Sequence, residues 1–203
     1  MKKLLVPVSL LAVFASAGLS AQTMTPYSVG LTLGATWLSR LDAGYVGGGS
    51  FNPRIGTNLA LEGGYFAEPQ FQVYGGVRLN ELRFTVTPNP GLFLPGSPAP
   101  IDVAYRRTNF QIFAGSRLYT RPANWRLYSG LELGYSANLR ERPGRNSDPP
   151  HAMVGLTPGF CWKPAGSYWS LFSQPALRAM LHVKKSGRNY LAPAIEIGVR
   201  RGW

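Results

Sequence analysis

Residues 109–140, NFQIFAGSRLYTRPANWRLYSGLELGYSANLR, alternate in two arms about a short Arg121-Pro122-Ala123-Asn124 turn. In the second arm Trp125, Leu127, Leu131, Leu133, Tyr135, Ala137 and Leu139 fall on one face, interrupted by Ser129. Arg126, Tyr128, Gly130, Glu132, Gly134, Ser136, Asn138 and Arg140 fall on the other. Successive strand side chains point to opposite faces, so the pattern predicts a strand with one apolar and one polar side. The first arm behaves alike, with Phe110, Ile112, Ala114 and Leu118 opposite Asn109, Gln111, Gly115 and Arg117. About ten alternating residues with aromatics at the ends is the length of a tilted strand crossing a bilayer. The apolar side then meets lipid and the polar side lines a closed barrel.

The rest of the 203-residue chain extends this hairpin in both directions. Tyr27–Trp37 is a strand with small polar residues inside, and Ser39–Arg54 a long Gly-rich loop. Ile55–Tyr65 and Phe71–Leu79 form a second hairpin, and near Glu81 the apolar phase slips to Leu82, Phe84 and Val86, as either a bulge or the exit from the bilayer would produce. Thr87–Pro100 reads as a second long loop and Glu141–Pro150 as a third. Strands ending at Trp162, starting at Trp169 and covering Leu191–Val199 complete the count, with Lys184–Asn189 as the last loop. Pro158, Pro175 and Pro193 fall inside strands and are expected at local bulges, since proline removes a ladder donor. Connections alternate long and short, as in barrels with long outer loops, short periplasmic turns and both termini on the periplasmic side. The expected fold is an all-β, eight-stranded antiparallel up-and-down transmembrane β-barrel.

Charged residues make up only 15% of the chain, too few for an ordinary soluble surface. Residues 1–21 form an export signal: Lys2 and Lys3, then the apolar run Leu4–Ala17, then small residues before Gln22. A cut after Ala17 is the alternative to one after Ala21. Residues 22–203 are then the barrel domain. Loss of Lys2 and Lys3 takes the formal charge from +12 to +10. Export argues against nucleic acid as the counterpart of this charge and favours an anionic outer surface such as lipopolysaccharide.

Glu62, Glu132 and Glu196 and Arg78, Arg117, Arg178 and Arg200 fall on lumen positions. An eight-stranded barrel is just wide enough for side chains to fill it, and buried charges must pair. These seven are therefore expected to form a structural ion network that plugs the lumen. Arg140, Arg142, Arg145, Lys184, Lys185 and Arg188 gather in outer loops, either as solvated charge or as contacts to lipopolysaccharide phosphates. A lipid A-modifying enzyme would need a His with Ser and a carboxylate. The chain has only His151, expected in a loop, and His182, expected inward near a strand end. The sequence reads as a non-enzyme without catalytic residues, cofactor or metal. The lone Cys161 reads as a plain strand residue.

Gln111–Leu118 with Leu131–Leu139, the LSAQ stretch at Leu19–Gln22 and the terminal Trp203 together resemble the small outer-membrane β-barrels of the Bacteroidetes "porin family", or PorT-like, group. The resemblance implies a Gram-negative outer-membrane location. It also implies that Trp203, with Tyr190, Gly198 and Val199, presents a C-terminal signal to the barrel-assembly machinery. The expected role is structural or surface-interacting: membrane integrity, adhesion or part of a secretion complex. A soluble periplasmic lipocalin-like binder is the alternative, and it would place its apolar side inside.

Overall fold

The computed structural model describes residues 26–40, 50–87, 103–120, 124–139, 150–182 and 189–202. Within them lie eleven strand segments: β1 (Tyr27–Thr36), β2 (Ser39–Arg40), β3 (Ser50–Arg54), β4 (Gly56–Glu68), β5 (Phe71–Thr87), β6 (Val103–Tyr119), β7 (Trp125–Asn138), β8 (His151–Leu156), β9 (Gly159–Trp162), β10 (Trp169–His182) and β11 (Tyr190–Gly202). The wall runs antiparallel in the order β1, β4, β5, β6, β7, β8 with β9, β10 and β11, and β11 pairs back onto β1 through nine residue pairs from Ser28↔Gly202 to Thr36↔Ala194. The ring thus closes in eight staves, with β8 and β9 sharing one stave. Closure removes the exposed sheet edge that an open sheet would leave.

Side-chain polarity is inverted relative to a soluble protein. Leu127, Leu131, Leu133, Ile112, Ile195 and Ile197 are all more than half exposed on the outer face, whereas Arg117, Glu132 and Glu196 are 0% exposed inside. The reverse polarity required of a lipocalin-like barrel is absent from the described residues. Aromatics gather around the end where Tyr27 and Gly202 lie, called the terminal end below. Tyr27 packs on Tyr65 at 5.4 Å, and Trp125 stacks on Trp162 at 5.6 Å. At this end β9 and β10 are joined by a tight turn in which Ser167 N–H donates to Pro164 O. Gly166 supplies the positive φ of 72° that the third residue of such a type II turn demands.

Three expectations about the strands need correction. Of the two expected causes of the phase change at Glu81 the bulge is excluded, because β5 and β6 stay in one register from Phe71↔Leu118 to Val86↔Val103. Leu82 consequently points inward and is 0% exposed, and the outer face changes from apolar Leu79 to charged Glu81 and Arg83. The apparent slip is the apolar belt ending while an apolar lumen position follows. Second, Ser39–Arg54 is not wholly loop, because β2 pairs with β11 and β3 pairs with β5 above the barrel wall. Third, Pro175 and Pro193 cause no bulge, since β10–β11 runs in a single register through both. Pro158 alone breaks a strand, separating β8 from β9. The ladder to β7 survives the break, with Gly130 and Thr157 exchanging both backbone hydrogen bonds at 3.1 and 2.9 Å.

Candidate functional site

The lumen is layered. Near the terminal end lies an apolar cluster of Phe66, Tyr119, Tyr128, Cys161 and Phe172. Near the opposite end lies another, of Leu38, Ala60, Tyr74, Leu82, Phe113, Met153, Met180, Tyr190 and Ala192. The alternation of the strands places these residues inward by the same rule that places the charges there. Gly115 and Gly198 make the room: a Cβ on Gly115 would meet Tyr74 Cζ at 2.9 Å, and one on Gly198 would meet Leu31 O at 2.6 Å and the Phe172 ring.

Between the clusters the structure brings together all seven lumen charges. Glu62 on β4 receives both guanidinium nitrogens of Arg117 on β6, each at 2.8 Å, a bidentate pair. The same carboxylate accepts from Arg200 on β11 at 2.7 and 3.2 Å. Glu132 on β7 accepts from Arg78 on β5 at 3.1 Å and from Arg178 on β10 at 2.9 Å. Arg178 also grips Glu196 on β11 at 2.8 Å, and Arg78 Nε lies 3.7 Å from Glu196 Oε1. Each carboxylate therefore touches two arginines.

Neutral partners knit the two groups together. Tyr74 donates to Glu132 at 3.2 Å while its ring lies 3.7 Å beneath the Arg117 guanidinium. Gln72 joins Arg117, Tyr119 and Ser28. Gln174 donates to Glu196 at 2.6 Å and accepts from Tyr128 at 2.7 Å. Sequence reading missed these tyrosines and glutamines as members. Their inward parity was the available signal.

Below the network, at the terminal end, Arg126, Lys163 and Arg200 line a shallow recess with Phe66, Tyr119 and Cys161. At the other end His151 is not in a loop but opens β8. It is buried and paired in register with His182, ring centroids 5.1 Å apart, with Tyr190 also 5.1 Å from His151. Ser136 on β7 stands opposite His151 in the ladder to β8. Among the described residues there is no group of three His, Cys, Asp or Glu side chains able to hold a metal. Arg140, Arg142, Arg145, Lys184, Lys185 and Arg188 lie outside the described residues, as do Trp203 and residues 1–21.

No known family model matches this chain, and no curated protein matches its sequence. Solved structures do share its fold. Neisserial surface protein A aligns over 90% of this chain and all of its own, with a TM-score of 0.57 at 13% identity. The outer-membrane protein OprG of Pseudomonas aeruginosa aligns over 91% of this chain and 99% of its own, with a TM-score of 0.55 at 12% identity. The fold is therefore that of the small outer-membrane β-barrels.

Proposed function

We propose that the chain is a Gram-negative outer-membrane barrel with a closed lumen, serving a structural or surface-interaction role rather than catalysis or bulk transport. The observation that carries this is the inverted polarity: a continuous apolar belt faces outward while seven charges are sequestered within. Lipid is the solvent in which such an outside is stable. A water-filled channel requires roughly twice as many strands. Here Arg117, Arg178, Glu132, Glu196 and both apolar clusters occupy the cross-section. Membrane integrity, adhesion or membership of a secretion complex all suit a barrel whose lumen is filled by its own side chains. Lipopolysaccharide is the natural neighbour of the basic loops containing Arg140, Arg142, Arg145, Lys184, Lys185 and Arg188. Within this reading residues 1–21 are cleaved on export, and the last strand delivers the chain to the barrel-assembly machinery. Kinship with the Bacteroidetes PorT-like group is the finer assignment, supported by the stretches Gln111–Leu118 and Leu131–Leu139.

The test is a gel of washed outer membranes with samples unboiled and boiled in detergent. A closed barrel keeps its fold in detergent until heated, so the two samples should migrate differently. Recovery from the soluble periplasm with no shift would refute the proposal.

A further inference from the structure

The outer end of the β3–β5–β6 ribbon carries an arrangement that strand pairing alone disfavours. Arg54 lies opposite Arg83, and Arg83 lies opposite Arg106, so three arginines stand in one cross-strand row. All three are exposed, Arg83 and Arg106 with 48% and 69% of their side chains accessible. Like charges directly opposite across a sheet destabilise it. Among the described residues one carboxylate, Glu81, answers them, bonding to Arg83 and to Arg106, the latter at 2.6 Å. Among the described residues, three cations against one anion leave the row with a formal excess of two positive charges.

Position says what this excess meets. Strands rise about 3.4 Å per residue and tilt by about 40°, which sets Glu81 roughly 5 Å and Arg83 roughly 10 Å above Leu79. Leu79 is the last apolar outward residue of β5, and Val77, Ile112, Leu59 and Leu61 continue the exposed belt below it. The row therefore stands just above an acyl-covered surface, at the end remote from Tyr27 and Gly202. Guanidinium forks match phosphate oxygens bidentately, and adjacent strands about 4.8 Å apart bring three forks within reach of one phosphate group.

We propose that Arg54, Arg83 and Arg106 bind the phosphate of a phosphorylated outer-leaflet lipid whose acyl chains lie along Leu79, Val77 and Ile112. This site is separate from the loop cations, and it rests on the outer-membrane reading. Glu81 positions two of the forks and also competes with the phosphate for them.

The experiment uses the full-length barrel in phosphatidylcholine nanodiscs doped with diphosphorylated lipid A, with lipid retention read by native mass spectrometry. Retention of lipid A over phosphatidylcholine is expected. It should fall about tenfold or more in Arg54→Gln/Arg83→Gln/Arg106→Gln, given the strength of charge-assisted hydrogen bonds. Dephosphorylated lipid A should be lost equally from wild type. Glu81→Gln, a single change that leaves every arginine in place, should raise retention and gives a readout of opposite sign if the triple variant does not fold. Unchanged retention in either variant overturns the proposal, as does displacement of lipid A by millimolar inorganic phosphate alone. Failure of the wild type to show a heat-dependent gel shift would instead refute the underlying membrane reading.

Discussion

Replacing Glu132 by glutamine removes one charge from the centre of the barrel while keeping the side chain's volume. Glu132 is fully buried and accepts from Arg78 at 3.1 Å and Arg178 at 2.9 Å. At an effective dielectric near 20, a unit pair about 3 Å apart attracts by roughly 5 kcal/mol, so the two pairs total about 11 kcal/mol gross. Most of this offsets the cost of stripping water from the ions. Removing one member of a buried pair typically destabilises by about 3–5 kcal/mol, because the remaining charge is left uncompensated. In Glu132→Gln the four arginines would face two carboxylates instead of three, with Arg78 and Arg178 both relying on Glu196. Equilibrium urea unfolding in lipid vesicles should show a loss of about 3–5 kcal/mol. Glu81→Gln, whose ion pairs sit at the exposed outer end, serves as the control and should change stability by about 1 kcal/mol or less. A Glu132→Gln loss no larger than the control would refute the reasoning, since it would mean that water solvates these arginines and the lumen is not closed.

Gly115→Val should destabilise by about 1–3 kcal/mol through overpacking against Tyr74 and the Leu131 carbonyl, measured in the same unfolding assay. Cys161, only 8% exposed among Phe66, Tyr119, Tyr128 and Phe172, should resist maleimide in the folded barrel and react after boiling, as a mass shift would record. Burial pushes the Glu81 carboxyl up, but the hydrogen bonds and charges of Arg83 and Arg106 outweigh this and hold it below the ordinary 4.5. A depressed carboxyl stabilises the fold above its unfolded pKa and loses that contribution as pH falls through the folded value. The stability difference between wild type and Glu81→Gln should therefore vanish in acid and persist at neutral pH.

Strand faces were legible because alternation has a period of two and the outer face is almost uniformly apolar. Trp125, Leu127, Leu131 and Leu133 announce β7 without help from any neighbour. Residues Glu62, Arg78, Arg117, Glu132, Arg178, Glu196 and Arg200 were legible as inward positions for the same reason. Partner choice was not, because register depends on pairing between distant segments: Arg200 meets a carboxylate 138 residues earlier in the chain. Leu82, Phe113, Met153 and Met180 were missed as lumen residues because apolar side chains occur on both faces. In Ile112-Phe113-Ala114 the alternation is invisible to hydropathy alone. The arginine row was hidden likewise, since Arg54, Arg83 and Arg106 are distant in sequence and become neighbours only through two ladders.

The distribution of the ion network over the chain has a consequence for biogenesis. Glu62 is contributed by the second stave and Arg200 by the last, while Glu196 on the last stave meets Arg178 and Arg78. A nascent sheet lacking its final strand would hold Arg200 and Glu196 apart from all their lumen partners. Such a half-built curl has unmatched charge lining its concave side, so early staves gain little from lipid insertion alone. The full electrostatic reward arrives when β11 zips onto β1. Insertion and closure are thereby coupled into one cooperative event, and truncation within the last strand should leave an unclosed chain open to proteolysis.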